Sequence, residues 1–370
     1  MGEDKILKVA LVHDFLIQDG GAERVLACFQ RMFPSAPTYV LIHDKSRMHP
    51  PFKSTEIRSS FLNSLPQAVN RYQWYVPLMP MAVEQMDFSG FDLVISSSSL
   101  FVKGIIVPPG TTHVCYCHTP TRFLWQERFG YVHEDAPPWI MRAAISILVH
   151  RLRPWDRMAA DRPHAMVTNS RVSQERIRHF YKRESTVIHP PVDVERVTVS
   201  NTPGSFFLTG GRLVGYKRFD LVVHGFRALN LPLKIFGVGS ELARLKKIAG
   251  PKTEFLGQIS DEEKFNLYRN AIAFIQPQLE DFGITAIEAM AAGKPVISYG
   301  KGGAEETVIP GKSGLHMNEQ SPKAVIQAVR SFKPEMFDPL VIREHAEKFS
   351  NTRFEKEFSE FLNKLLNVPS

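Results

Sequence analysis

Two carboxylates stand eight residues apart in the string Glu280-Asp-Phe-Gly-Ile-Thr-Ala-Ile-Glu288. An apolar run at 271–276 predicts a buried strand before this string, and good helix formers from Ile284 onward predict a helix that ends before Gly293. Ligands of open parallel sheets bind beyond the carboxyl ends of the strands, so Glu280 is expected at that rim. Helical side chains point back towards the helix N-terminus, so Glu288 is expected to reach the same ligand.

The backbone of the same junction favours an anion. The N–H groups of Phe282, Gly283 and Ile284 open the predicted helix, where unpaired donors and the helix dipole stabilise negative charge. Gly283 also permits close approach of a ligand to the backbone. These groups and the two carboxylates predict a site for a ligand that carries both phosphate and hydroxyl groups. The alternative is that Glu288 is a satisfied polar group in a helix packed on the core.

The string and the Ala-Met-Ala-Ala-Gly-Lys-Pro-Val-Ile segment that directly follows it resemble the E-x7-E region of family four of the retaining GT-B glycosyltransferases, which are related to glycogen synthase. The resemblance implies an α/β fold with two Rossmann-like domains, whose parallel sheets face an interdomain cleft. It implies an acceptor-side domain over residues 1–170, completed by a C-terminal helix at 351–370, and a nucleotide-sugar-binding domain over 171–350. The length of 370 residues and the alternation of strand-like and helix-like segments also favour two α/β domains.

Arg212 and Lys217 lie in a glycine-containing loop after a predicted strand at 206–209. Arginine grips phosphate with two hydrogen bonds and lysine acts as a point charge, so the pair could neutralise a diphosphate. Ordinary surface charge is the alternative. In the resembled family, an arginine and a lysine of this loop hold the pyrophosphate of the donor. The resemblance further assigns the sugar hydroxyls to Glu280 and the ribose hydroxyls to Glu288.

Asp14, Gly20 and Gly21 follow the first predicted strand, at 7–13. A tight turn would by itself explain the two glycines. In the resembled family, this loop shapes the acceptor side of the site, and these three residues match it.

A histidine and an arginine follow the predicted strand at 112–117, in the string His118-Thr-Pro-Thr-Arg122-Phe-Leu-Trp. Proline restricts the backbone beside the histidine, which is therefore poised at the rim of the sheet. A lone histidine is more often structural. The string resembles a motif of a bacterial mannosyltransferase-like branch of the family, which implies that His118 helps to position the sugar and the acceptor and that Arg122 contacts the acceptor.

The reaction implied by the resemblance is transfer of a hexose from a nucleotide sugar with retention of configuration. The acceptor attacks on the face that the leaving group occupies, and a donor phosphate oxygen takes its proton. The His-Asp-Phe, Gly-Gly-Ala-Glu-Arg and His-Thr-Pro segments are similar to mannosyltransferases of bacterial surface polysaccharide assembly, which makes GDP-mannose the first choice of donor. UDP-hexoses are the alternative. The expected acceptor is a saccharide, and a lipid-linked one is favoured.

Other classes of protein fit the sequence less well. The chain has no Asp-x-Asp motif and no histidine or cysteine cluster with ligand spacing, so no metal is expected, and the nucleotide sugar is a substrate rather than a cofactor. A related phosphorylase needs a lysine-bound pyridoxal site, and a Rossmann oxidoreductase needs a better glycine fingerprint. A non-catalytic sugar-nucleotide sensor would keep Arg212 and Lys217 but would not need Glu280 or His118.

Two apolar segments suggest contact with lipid. Residues 139–162 mix apolar side chains with five arginines, which is typical of a helix on an anionic bilayer, although a helix packed on the sheet is favoured. Residues 65–86 are apolar and broken by prolines, and packing is favoured there as well.

Charge and cysteine content restrict the partners and the compartment. The net charge is +7, but there is no dense basic tail, so nucleic acid is disfavoured. The start of the chain lacks the layout of a signal peptide, and the three cysteines do not form a disulfide framework. We expect a cytoplasmic protein, with peripheral association at the inner face of the cell membrane as a further hypothesis.

Overall fold

The computed structural model describes residues 7–18, 20–46, 50–126, 139–202 and 204–367, which form two compact units, 1–189 and 190–370. Each unit contains one sheet whose paired strands are all parallel, with helices between successive strands. The prediction of two α/β domains is confirmed. Parallel pairing requires these crossovers, and the buried strands are accordingly rich in Val, Ile and Leu.

The sheet of the first unit has seven strands in the order β3-β2-β1-β4-β5-β6-β7. Their bounds are β1 Val9–Leu16, β2 Thr38–His43, β3 Ile57–Ser59, β4 Leu93–Ser98, β5 Thr112–Cys117, β6 Ala165–Thr168 and β7 Thr186–Val187. The helices are α1 Gly21–Met32, α2 Pro50–Lys53, α3 Met79–Glu84, α4 Arg122–Trp125, α5 Trp139–Ala159 and α6 Arg171–Arg176. The strand order reverses between β1 and β4, and such a switch point opens a crevice at the carboxyl ends of the strands.

The sheet of the second unit has six strands in the order β10-β9-β8-β11-β12-β13. Their bounds are β8 Phe206–Gly210, β9 Leu233–Phe236, β10 Thr253–Gly257, β11 Ala271–Gln276, β12 Val296–Tyr299 and β13 Gly314–Met317. The helices are α7 Phe219–Leu229, α8 Leu242–Ile248, α9 Asp261–Asn270, α10 Ile284–Ala291, α11 Ala304–Thr307, α12 Pro322–Ser331, α13 Pro339–Glu347 and α14 Asn351–Leu366. Here the switch point lies between β8 and β11.

The boundary expected at residue 170 is wrong. Strand β7 pairs with β6, so residues 171–189 belong to the first unit. The error arose because the sequence of a short edge strand after a helix does not show which of the two sheets the strand joins. Helix α14 is grouped with the second unit, and the expectation that it completes the first domain stays a prediction.

Three local expectations need correction. Strand β1 continues to Leu16, so Asp14 lies within the strand rather than in the loop after it. Among the described side chains of helix α5, Leu152, Asp156 and Ala159 are buried, whereas residues 142–147 are exposed. The segment at 65–86 packs in part: Met79 and Val83 belong to the core, but Trp74 is exposed.

The described helices include none that is both long and apolar enough to cross a membrane.

Candidate functional site

Glu280 and Lys217 form an ion pair at the switch point of the second sheet, with 3.0 Å between Lys217 Nζ and Glu280 Oε1. Lys217 comes from the loop after β8 and Glu280 from the loop after β11, so the two neighbouring strands deliver the pair. Gln278 Nε2 donates a second hydrogen bond of 3.1 Å to the same carboxylate oxygen. The backbone of Glu280 is held by Gly303, whose N–H donates to the Glu280 carbonyl at 2.8 Å.

Helix α10 begins beside this ion pair. Its N-cap, Gly283, has φ of +95°, a left-handed conformation that glycine adopts without strain. A Cβ at this position would lie 2.5 Å from Nε2 of Gln276, so the close contact also requires a residue without a side chain. Phe282 packs its ring against Phe349, with ring centroids 5.5 Å apart, and therefore offers a ligand only its backbone. The N-terminus of α10 thus lies next to a carboxylate and a cation.

Arg212 lies in the same loop as Lys217, and its side chain is exposed. Its Nη2 donates to the hydroxyl of Tyr216 at 3.2 Å. The structure therefore places both predicted cations at the carboxyl end of β8, as a diphosphate site requires.

Glu288 is buried on α10 and is 2% exposed. Lys264 Nζ donates to Glu288 Oε1 at 3.0 Å, and the Tyr268 hydroxyl donates to Oε2 at 3.1 Å. Both donors belong to α9. The structure thus shows Glu288 as a satisfied polar group, which was the alternative interpretation, while its role towards ribose stays a prediction.

In the first unit, the carboxylate of Asp14 accepts four backbone N–H groups at 2.7–3.1 Å, from Ser99, Leu100, Phe101 and Val102. It acts as a cap for the turn that follows β4, across the switch point from β1. Asp14 is buried, and its expected contact with an acceptor stays a prediction.

Gly20 and Gly21 lie at the start of α1, as N-cap and first residue. Gly20 has extended backbone angles that any residue adopts, with φ of −141°. A Cβ at Gly20 would meet only the end of the Glu23 side chain, at 2.8 Å from Oε2. The structure therefore gives no strict conformational need for glycine here, and the predicted acceptor-side role is not explained by strain.

His118 follows β5, and its Nε2 is hydrogen-bonded to Ser97 Oγ at 2.9 Å. The Ser173 hydroxyl donates to the His118 carbonyl at 3.0 Å, so ring and backbone are both held.

Ser97 also binds a second histidine. His13 Nδ1 is hydrogen-bonded to the Ser97 carbonyl at 2.9 Å, and His13 Nε2 lies 3.9 Å from Glu23 Oε1. Burial acts to lower the pKa of His13, but the hydrogen bond and charge of Glu23, with smaller contributions from Asp14 and Ser97, raise it above its ordinary value. A buried histidine–glutamate pair therefore lies on the other side of the serine that holds His118.

A buried polar cluster anchors the turn that carries Arg122. The Asp156 carboxylate on α5 accepts from Lys103 Nζ at 2.5 Å, Thr121 Oγ1 at 2.8 Å, Trp125 Nε1 at 2.7 Å and the Tyr181 hydroxyl at 2.8 Å. Burial and the charge of Asp156 raise the pKa of Tyr181 well above its usual range, so Tyr181 remains a donor. Thr121 is the N-cap of α4 and Trp125 is its last residue, so the cluster fixes the position of Arg122.

Two family models match consecutive parts of the chain. The model of glycosyltransferase family 4 matches residues 19–196, and the model of glycosyl transferases group 1 matches residues 193–351. Residues 193–351 therefore form a domain of the group 1 glycosyltransferase family. In this group 1 protein, the second match contains every predicted donor residue, Arg212, Lys217, Glu280, Glu288 and the start of α10.

Curated relatives align with parts of the group 1 protein. The uncharacterized glycosyltransferase MJ1069 of Methanocaldococcus jannaschii is 24% identical over 174 residues, which cover 42% of this chain and 44% of that protein. The alpha-1,3/1,6-mannosyltransferase ALG2 of Dictyostelium discoideum is 48% identical over 65 residues, or 17% of this chain and 16% of that one. The chain thus spans less than half the length of these curated relatives.

Among solved structures, Anabaena Alr3699/HepE, crystallised with UDP and glucose, superimposes with a TM-score of 0.72. The two chains are 17% identical, and the match covers 96% of this chain and 99% of that one. The likeness shows that the group 1 protein has the GT-B fold.

Sequence reasoning missed the side chains that hold the predicted residues in place, namely Ser97, Lys264, Tyr268 and Gln278. One signal was available: Ser260 and Glu263 form a capping box at the start of α9, which puts Lys264 and Tyr268 one turn apart on that helix. Which carboxylate they meet depends on the packing of α9 on α10. Within the described ranges, no three side chains of His, Cys, Asp or Glu converge as a metal site would require.

Proposed function

We propose that this group 1 protein transfers a hexose from a nucleotide sugar to a saccharide acceptor, with retention of configuration. The observation that supports it most is the group at the β8–β11 switch point, where Lys217, Glu280 and the N-terminus of α10 meet. A helix N-terminus and a lysine suit a diphosphate, and a carboxylate suits sugar hydroxyls.

Each residue then has a defined task. Arg212 and Lys217 bind the diphosphate and stabilise the charge that develops on it as it leaves. Glu280 accepts hydrogen bonds from sugar hydroxyls, and Glu288 accepts them from ribose. His118 orients the sugar and Arg122 the acceptor. A donor phosphate oxygen takes the proton of the attacking hydroxyl, so Glu280 need not be a nucleophile.

GDP-mannose is the proposed donor. The short alignment with the Dictyostelium mannosyltransferase supports this choice, as do the His-Asp-Phe and His-Thr-Pro segments of the first domain. A UDP-hexose is the alternative, and the Anabaena protein was crystallised with UDP and glucose.

The donor is tested by calorimetric titration of the protein with GDP-, UDP- and ADP-hexoses. We expect selective binding of one of them, with GDP-mannose bound most tightly. The Arg212→Ala variant should bind that donor about 10- to 100-fold more weakly, because a charge-assisted hydrogen bond is worth about 1.5–3 kcal/mol. Arg244→Ala is the matched control, since Arg244 is an exposed arginine paired with Glu241 on α8. Absence of binding to every nucleotide sugar would exclude the proposed function.

The acceptor is proposed to be lipid-linked, which requires the protein to work at a membrane surface. Helix α5 supports this, because one face of it turns apolar and basic side chains to solvent. Ile147 and Met158 are each 58% exposed, and Arg151 and Pro154 are exposed between them, at the spacing of one helical face. The acidic residue between 142 and 159 is Asp156, which is buried in its cluster, so the exposed face is complementary to an anionic bilayer.

Membrane binding is tested by co-sedimentation at low salt with vesicles that contain phosphatidylglycerol. We expect the protein to pellet with these vesicles and not with pure phosphatidylcholine. Ile147→Asp should weaken binding about 10-fold or more, since burying an isoleucine side chain is worth about 1.5–3 kcal/mol. Met336→Asp, at a methionine of the second unit that is 65% exposed, should leave binding unchanged. A wild-type protein that stays in the supernatant would contradict the proposal.

A further inference from the structure

Glu288 is the one charged side chain of α10, whose other residues are Ile, Thr, Ala and Met. It lies among buried apolar neighbours, Ile287 and Ala289 among them, and it is 2% exposed. A buried ion pair is weak evidence for stability, because apolar side chains of the same volume often serve as well or better. The presence of a carboxylate here therefore needs an explanation other than packing.

The two donors to Glu288 come from one face of α9. Lys264 and Tyr268 are four residues apart and therefore one turn apart, and each binds a different oxygen of the carboxylate, at 3.0 Å and 3.1 Å. Lys264 is itself held by Asp261, with 2.9 Å between Nζ and Oδ1. Tyr268 is fully buried, and its ring contacts Phe236 and Phe274.

Holding both oxygens from one side fixes the plane of the carboxylate. A carboxylate accepts about four hydrogen bonds, and each oxygen of Glu288 accepts one from α9. A vicinal diol, with hydroxyls on neighbouring carbons, offers two donors at a spacing that matches the two oxygens. The ribose of a nucleotide has such a diol at its 2′ and 3′ positions.

We propose that Tyr268 and Lys264 are positioning residues that hold the Glu288 carboxylate for the ribose diol of the donor. This inference rests on the proposed function. It adds a source of specificity. A carboxylate held at both oxygens rejects a nucleotide that lacks one hydroxyl, whereas a mobile carboxylate can reorient to bind the hydroxyl that remains. A deoxy nucleotide loses one hydrogen bond to a charged group, and such a bond is worth more than a bond between neutral groups.

The test measures the dissociation constants of GDP, UDP and their 2′-deoxy and 3′-deoxy forms by calorimetry. For the wild type we expect loss of a hydroxyl to weaken binding about 10-fold or more, because the hydrogen bond is made to a charged group. In Tyr268→Phe this ratio should fall below about 3-fold, while the affinity for inorganic pyrophosphate stays unchanged. Lys264→Gln, which keeps an N–H donor, should reduce the ratio less than Tyr268→Phe.

Tyr116→Phe is the matched control. Tyr116 is fully buried in β5 of the first unit, and its hydroxyl donates one hydrogen bond, to the Ile188 carbonyl at 2.9 Å. The Tyr116→Phe variant should bind all ligands like the wild type. It therefore separates a general effect of removing a buried hydroxyl from an effect on ribose recognition.

The outcomes are distinct. If the wild type binds no nucleoside diphosphate, the proposed function and this inference both fail. If it binds but does not distinguish ribose from deoxyribose, Glu288 does not contact the diol, and the inference fails while the donor site stands. If Tyr268→Phe keeps the full ratio, or loses affinity equally for every form, then Tyr268 has a structural role only.

Discussion

Replacing Glu280 by glutamine is expected to lower the turnover number by about 10²- to 10³-fold, the range seen when one hydrogen-bonding group that stabilises a transition state is removed. Nucleoside diphosphate should bind at least as tightly as before. The reason is the ion pair with Lys217 at 3.0 Å, in which Glu280 neutralises a cation that the diphosphate needs. The two effects are opposite in direction, and a general loss of structure cannot produce that combination. Steady-state kinetics with the donor identified by titration, and calorimetry with its nucleoside diphosphate, measure them.

Glu254→Gln is the control for the change of charge. Glu254 on β10 pairs with Lys234 at 3.1 Å, again a glutamate–lysine pair in the second unit, but it is exposed. This variant should keep wild-type turnover and affinity. If Glu280→Gln retained more than a tenth of the wild-type turnover, Glu280 would have no essential role in the transfer.

Replacing Asp156 by alanine is expected to lower the free energy of unfolding by about 3–5 kcal/mol, because it leaves the buried ammonium group of Lys103 without its counter-ion. Asp156 and Lys103 are 0% and 1% exposed, and three neutral donors, on Thr121, Trp125 and Tyr181, also lose their acceptor. For a unit of this size, each kcal/mol corresponds to about 2–4 °C, so the melting temperature should fall by about 6–20 °C. Tryptophan fluorescence during thermal or urea denaturation measures this unfolding directly, since Trp125 donates to Asp156.

Asp161→Ala provides the comparison. Asp161 pairs with Arg157 at 2.7 Å in an exposed ion pair, which is worth about 1 kcal/mol or less. If Asp156→Ala unfolded at the same temperature as Asp161→Ala, the buried cluster would not stabilise the first unit. Since Thr121 and Trp125 flank Arg122, a folded Asp156→Ala protein should also turn over more slowly than the Asp161→Ala variant.

The positions of the strands could be predicted from the sequence where the chain itself supplies the signal. Residues 112–117 form an apolar run between turn residues, and β5 has these bounds. The boundary of the first unit could not be predicted, because β7 has only two residues and carries no pattern that identifies its sheet. The end of β1 was misplaced for a related reason: Asp14 looks like a loop residue until the four N–H groups that it accepts are in place.

The candidate site also has one part that could be predicted from the sequence and one part that could not. The sequence by itself determined which residue types follow which strands, and thus that Lys217, Glu280 and the start of α10 lie at the carboxyl edge of one parallel sheet. Connectivity and the rule for parallel crossovers suffice for that.

Only the tertiary structure decided which side chains meet. The pairing of Lys217 with Glu280, of Ser97 with His118 and of Tyr268 with Glu288 joins residues 20 or more positions apart. Such contacts depend on strand order and on how one helix packs against the next, and the two buried pairs, at His118 and Glu288, form because a buried polar group needs a partner. The chemistry of the groups can therefore be predicted from the local sequence, whereas their partners depend on the packing of the whole domain.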